Sequence, residues 1–492
     1  MCNIVIAGGG SAGYITALLT QHYYPSSKIT LIESSKRGIL GAGEGTTPHF
    51  IELLNKIGID VSDIVRHCDG TIKSGINFKN WNGDGRKYIH DFVNNDSELS
   101  DCLALGIDYD SVGFNDYLAN IKKVPIYPVY NLNACNGNPI YSTGKCANYA
   151  MHFDARKLAN YLNLIAVNRN ITIVDDEIVD FNVNESGEIT EVILENKSNI
   201  KCSFIFDCTG FARLIIGKFY NQKWISYRDK LPVDKAIPFF VDHDGDVDPV
   251  TDAVALKYGW MWKIPTKNRF GSGYVFDSDY ITPDEAKDEL ESTLGHKVDV
   301  PRVIDFNPGT YHKAVYKNCM AVGLSQSFIE PLEATSIWVS YLNLRGALES
   351  DIVNNHRDSN YSDILNERYY RRNDTVLNFI NFHYYAAERD DSLFWKNFRH
   401  KHKIEEVDRI FRFLDNNLKM NPEMINLYDD FFEYNRDFNV ISWVKVYAGL
   451  RLNSGNNEYN ATQKMALESI LNNYDNYSRG FYSHKEFLEY LR

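Results

Sequence analysis

Apolar residues come in short runs through the first two thirds of the chain and settle into helical spacing over the last third. Asn3 to Ala7 is a compact apolar run that predicts a buried strand, and Ser11 to Tyr23 predicts a helix. Lys28 to Ile32 predicts a second strand ending at Glu33, and Pro48 to Ile57 another helix. Residues 82–150 are full of Asn, Asp, Gly and Tyr, which predicts loops. Asp154 to Asn168 places Leu158, Tyr161, Leu162 and Ile165 on one helical face. Short strands then follow at Ile171 to Val174, Ile178 to Val183, Ile189 to Leu194 and Phe204 to Asp207, and residues 237–276 again favour strands. Past Ser336 the pattern lengthens into helices over 337–350, 361–388, 391–417 and 462–472, with an Asn/Asp-rich loop near 453–460. The prediction is a mixed α/β nucleotide domain carrying a sheet insertion over residues 1–350, then a helical region over 351–492. No internal repeat is visible.

Between the first strand and helix lies Gly8-Gly9-Gly10-Ser11-Ala12-Gly13, and Glu33 follows Gly13 by 20 positions. This G-x-G-x-x-G turn in a β-turn-α-β setting fits a Rossmann-like dinucleotide site. Gly8 permits the tight turn, Gly10 lets backbone approach a pyrophosphate, and Gly13 lets the helix pack close to the strand. Glu33 is placed to accept from a ribose hydroxyl. The plain alternative is a glycine turn without a ligand, and the motif does not by itself separate NAD from FAD.

With 44% apolar and 24% charged residues, the chain has ordinary globular composition. A net charge of −13 argues against a nucleic-acid surface. Its eight cysteines are scattered without a C-x-x-C pair, which argues against zinc and redox motifs and fits a reducing cytoplasm. No run of 18 apolar residues predicts a spanning helix, and the glycine-interrupted N-terminus lacks a basic n-region. No H-E-x-x-H occurs, and no G-K-[ST] follows the glycines to make a P-loop.

Gly323-Leu324-Ser325-Gln326-Ser327-Phe328-Ile329-Glu330-Pro331-Leu332-Glu333-Ala334-Thr335-Ser336-Ile337 joins a glycine turn, a proline and a carboxylate at a predicted helix start, where free N–H groups favour an anion. Lys73 stands in an alternating apolar segment, Gly70 to Phe78, ahead of Asn80-Trp81. From the residues alone, lysine's usual exposure favours an outward-facing position. Glu333 read alone complements a helix dipole. Trp260-Met261-Trp262-Lys263-Ile264-Pro265 read alone is one face of a core strand. His152, ahead of a predicted helix, reads as structural.

Taken in order, these segments resemble the flavin-dependent halogenases of the tryptophan-halogenase type, over roughly residues 1–450. Gly41-Ala42-Gly43-Glu44-Gly45-Thr46-Thr47-Pro48 is similar to that family's G-x-G-E-x-T-x-P loop, and Phe206-Asp207-Cys208-Thr209-Gly210-Phe211 to its D-C-S/T-G-F segment. Lys73 matches the catalytic-lysine segment, whereas Lys79 does not. The resemblance extends through Phe379-Ile380-Asn381-Phe382-His383-Tyr384 and Arg389 to Trp395.

The resemblance implies a Rossmann-like FAD-binding domain of the flavin-monooxygenase type, a β-sheet insertion and a helical substrate-binding part. It implies FAD contacts from Gly8, Gly10, Ser11, Ala12, Gly13, Glu33, Ile39, Ala42, Gly43, Glu44, Ile178, Leu324 and Ile337. It further implies catalysis by Lys73 and Glu333, a halide held by the amides of Thr335 and Ser336, and separation of flavin from substrate by Trp260 and Trp262. Most relatives carry glycine where this chain has Ser336, which opens the choice among chloride, bromide and iodide. FADH2 from a separate NAD(P)H-dependent reductase, O2 and halide then yield hypohalous acid, delivered past Lys73 to an electron-rich aromatic small molecule. No metal is implied, and a homo-oligomer is left open. Trp443 to Leu450 only partly matches the region that clamps free tryptophan, so indoles, phenols and larger acceptors remain in view. A flavin hydroxylase and a non-catalytic flavoprotein stay as alternatives.

Overall fold

The computed structural model describes residues 2–37, 43–92, 105, 113–125, 148–417, 429–435, 437–452 and 459–491. Asn3–Ala7 is the inner strand of a six-stranded sheet in the order Val315–Tyr316, Cys319–Ala321, Phe204–Asp207, Asn3–Ala7, Lys28–Glu33, Thr172–Asp175. It pairs in parallel with Lys28–Glu33 and with Phe204–Asp207. Ile4 and Ile6 point into one core and Val5 and Ala7 into another, so both faces of this sheet are covered. Helix Ser11–Tyr23 leaves from the end of this strand, as the predicted β-turn-α unit requires.

A seven-stranded sheet follows the order Ile304–Asp305, Lys235–Asp242, Arg269–Phe276, Gly259–Pro265, Val250–Leu256, Gly75–Lys79, Lys87–Asp91. Its pairings are antiparallel except Val250–Leu256 with Gly75–Lys79. A small third sheet joins Glu44–Gly45, Ala150–Phe153 and Thr71–Lys73. Only Ser74 separates Lys73 from strand Gly75–Lys79, so the lysine stands where the small sheet meets the large one.

Helix Thr335–Glu349 links two cores. Trp338 and Val339 enter the aromatic core under the seven-stranded sheet, while Tyr341, Leu344, Ala347 and Leu348 enter the core of the nucleotide sheet. The long helix Ser359–Ala386, started by the Asp358 carboxylate accepting from Asn360 and Tyr361 amides, also serves both. The predicted helix over 391–417 is two helices, Leu393–Lys401 and Glu405–Asn417. The first ends where the His402 ring turns to the Asp229 carbonyl at 2.9 Å. Strand Lys87–Asp91 and helices Val61–His67, Val440–Tyr447 and His484–Leu491 were too short to show a period in the sequence. Residues 453–458 of the loop predicted near 453–460 lie outside the described residues. No helix among the described residues is long and apolar enough to cross a membrane.

Candidate active site

One cavity of about 960 Å3 is lined by Gly8, Gly10, Ser11, Ala12, Glu33, Gly43, Glu44, Ile178, Leu324 and Ile337. Ile39 and Ala42 lie outside the described residues. Gly8 has φ +115°, open to glycine alone, and a methyl on Gly13 would stand 1.8 Å from the Gly8 carbonyl oxygen. Gly13 therefore packs behind the turn rather than on the cavity. Nothing lies within 4 Å of a side chain built at Gly10, which leaves the turn open to a phosphate. The Glu33 carboxylate accepts from the Tyr14 hydroxyl at 2.7 Å and faces the cavity beside Gly9. The helix that starts at Ser11 aims its free N–H groups at the same space. Glu44 lines the cavity too, and burial pushes its carboxyl up to about 7. Cavity size, open turn and acceptor fit a dinucleotide such as FAD.

Lys73, Glu333, Ser336, Trp260 and Trp262 line this same cavity. Lys73 is fully buried, against the outward position its residue type alone favours. Its ammonium donates to the Thr46 carbonyl at 2.9 Å. Burial pushes the amine down to about 7, with the Glu333 charge acting in the opposite sense. An amine that exchanges its proton near neutrality is suited to hydrogen-bond donation, proton transfer or attack. Lys79, by contrast, is an outer residue paired with Asp252 at 2.8 Å.

Glu333 has φ +66° and Ala334 φ +54°, two successive left-handed residues that are not glycine. Each costs about 1–2 kcal/mol of backbone strain. This turn aims the Glu333 carboxylate at two histidines. His90 Nδ1–H donates to both oxygens at 2.8 and 2.9 Å, and His383 Nε2–H donates to Oε1 at 2.9 Å. Burial works to raise this carboxyl, but the two histidines override it and hold it down at about 2. The sequence pattern missed both partners. His383 sits in the Phe379-to-Tyr384 segment, and His90 is carried to the site by its pairing with Ile76, three residues after Lys73.

Thr335 and Ser336 open helix Thr335–Glu349, where helix geometry leaves first-turn amides without an intrahelical acceptor. Ser336 lines the cavity; Thr335 is buried behind it. Trp260 and Trp262 project from one face of strand Gly259–Pro265 with ring centroids 6.3 Å apart. Behind Trp260, fully buried Glu330 accepts from the Tyr384 hydroxyl at 3.1 Å on both oxygens. Burial pushes this carboxyl up to about 8, against donation from the Tyr384 hydroxyl. The Trp260 indole N–H falls short of hydrogen-bond geometry. Two glutamates three positions apart thus differ in charge: burial dominates at Glu330, and paired imidazoles dominate at Glu333.

The sequence profile of the tryptophan halogenases matches residues 3–464. Tryptophan 7-halogenase KtzQ of Kutzneria sp. (strain 744) is 28% identical over 426 residues, covering 80% of this chain and 78% of that protein. The 7-chloro-L-tryptophan 6-halogenase KtzR of the same organism is 30% identical over 432 residues, covering 80% of this chain and 81% of that protein. Among solved structures, BrvH, a flavin-dependent halogenase from Brevundimonas sp. BAL3, superposes with a TM-score of 0.83 at 26% identity, covering 99% of each chain. With the profile spanning nearly the whole sequence, the chain belongs to the tryptophan halogenase family and is an enzyme, a flavin-dependent halogenase.

Proposed function

We propose that this enzyme halogenates an electron-rich aromatic small molecule, using FADH2, O2 and a halide, with Lys73 and Glu333 as its catalytic pair. The observation that carries the reading is one cavity lined both by the Gly8–Ala12 turn and by the buried amine and carboxylate. Bound FADH2 would supply two electrons and two protons, so that O2, halide and one further proton become hypohalous acid and water. The halide seat is at the Thr335 and Ser336 amides, at the start of a 15-residue helix whose dipole favours an anion. Trp260 and Trp262 wall the flavin off from the aromatic acceptor. The Lys73 ammonium holds the oxidised halogen by hydrogen bonding, and the Glu333 carboxylate stabilises positive charge on the ring. A separate NAD(P)H-dependent reductase provides FADH2.

The test supplies reduced FAD, O2 and each halide in turn with a panel of indoles and phenols. Halogenated product is expected from the wild type and not from Lys73→Ala, which still consumes FADH2. Oxygen inserted into product without halide would overturn the reading. Product from free tryptophan alone would restrict the acceptor to that one amino acid.

A further inference from the structure

The cavity wall beside Lys73 holds a hydrogen-bond chain whose direction follows from its far end. The Pro265 carbonyl can only accept, so the Thr71 hydroxyl donates to it at 2.7 Å. With its hydrogen spent, Thr71 Oγ1 accepts from His152 Nδ1 at 3.1 Å, which places the ring proton on Nδ1. Nε2 of the neutral ring is then an acceptor, and the Thr251 hydroxyl donates to it at 2.8 Å. Burial first, then the charge on Lys73, holds His152 well below its ordinary range, so the ring stays neutral. Thr251 has no hydrogen left for the cavity it lines and offers it lone pairs only.

Gly45 pairs with His152 across the small sheet. A methyl at Gly45 would stand 3.4 Å from Lys73 Nζ, 3.4 Å from Thr251 Oγ1 and 3.5 Å from His152 Cδ2. The missing side chain leaves a gap flanked by one donor, Lys73, and one acceptor, Thr251.

Resting on the halogenase reading above, we propose that hypohalous acid sits in the gap between Gly45, Lys73 and Thr251, its O–H donated to Thr251 and its oxygen accepting from Lys73. Halide and hypohalite carry no hydrogen and cannot use the Thr251 acceptor, so the wall selects the protonated, electrophilic form. With the oxygen held at two points, the halogen is the atom left facing the arene. In transfer the C–X bond forms and the O–X bond breaks, its electron pair staying on oxygen. The hydroxide takes a proton from the Lys73 ammonium and leaves as water. The proton on the halogenated ring carbon passes to the Glu333 carboxylate and returns to Lys73 through solvent. His152 and Thr71 act through Thr251 and are positioning residues.

The test runs the FAD-loaded enzyme with bromide, an electron-rich arene and excess β-diketone trap outside the protein. Thr251→Val keeps the shape without the lone pairs, Thr251→Ser keeps the hydroxyl, and Gly45→Ala fills the gap at ordinary contact distances. Thr251→Val and Gly45→Ala are expected to shift bromine from arene to trap by about two- to tenfold, the worth of one hydrogen bond. Total oxidised bromide and FAD affinity by flavin fluorescence stay unchanged, and Thr251→Ser restores the wild-type partition. An unchanged partition in Thr251→Val overturns the proposal, and so does an equal fall in both products, which marks a damaged flavin site. If Thr251→Val does not fold, Gly45→Ala carries the same test. Failure of the halogenase reading shows differently, as no brominated arene or trap from the wild type.

Discussion

His383 Nε2 stands 2.9 Å from Oε1 of Glu333 while its Nδ1 stands 2.9 Å from the Phe379 carbonyl oxygen. Carbonyl and carboxylate are both acceptors, so the ring bridges the Phe379 backbone to Glu333. Ring and carboxylate are almost entirely buried, with side-chain exposures of 0% and 3%.

His383→Phe keeps the ring and removes both donors. The loss is expected to cost about 1.5–3 kcal/mol, as for a hydrogen bond to a charged group. Glu333 is depressed to about 2, so its contribution is present above its ordinary 4.5 and is lost as pH falls from there toward 2. Urea unfolding should therefore show a gap between wild type and variant that is full at pH 6 and narrows toward pH 3. A gap independent of pH would detach His383 from the Glu333 charge.

Lys73 is held near 7, below its ordinary 10.5. Between these values the unfolded chain binds more protons than the folded one, so this group adds stability as pH rises through the window. Lys73→Met should remove that slope and melt higher than wild type at pH 7, while making no halogenated product. Such a gain in stability at the loss of function marks an active-site group. With the ammonium as the proposed donor to hypohalous acid, transfer to the arene should fall as pH climbs past about 7. A transfer rate that rises from pH 6 to 9 would instead favour a covalent haloamine.

Glu330 behaves in the opposite sense. Its carboxyl is raised to about 8 from 4.5, so its contribution is complete below 4.5 and lost as pH rises toward 8. Glu330→Gln, neutral at every pH, should melt close to wild type at pH 5 and above it at pH 9. Thermal melts at the two pH values check this, and an equal difference at both would mean the carboxyl does not titrate in that window.

Gly13→Ala places a methyl 1.8 Å from a backbone oxygen that cannot step aside without moving the Gly8 turn. Overpacking of this kind costs about 1–3 kcal/mol. FAD affinity, read by quenching of flavin fluorescence, should fall with the melting temperature. A variant that binds FAD as wild type does would show that the turn is not the cofactor's cradle.

The nucleotide turn was legible because chemistry there depends on neighbours in the chain: strand, glycines, helix and Glu33 lie within one βαβ unit, and strand Asn3–Ala7 and helix Ser11–Tyr23 fell where their periods put them. The Glu330-to-Ser336 segment was legible by resemblance, and its helix start was visible in the local pattern. The opposite charge states of Glu330 and Glu333 were not. Their surroundings come from residues up to 243 positions away, as His90 is from Glu333.

Sequence alone determined the α/β nucleotide fold, because local periodicity and short glycine motifs are written in consecutive residues, and it marked the family through the resemblance of its ordered segments. Tertiary structure decided that Lys73 faces inward, that two histidines ionise Glu333, and that His152 turns Thr251 toward the cavity as an acceptor. Those outcomes depend on burial and on which donors meet which acceptors across three sheets, and no stretch of chain contains that information by itself.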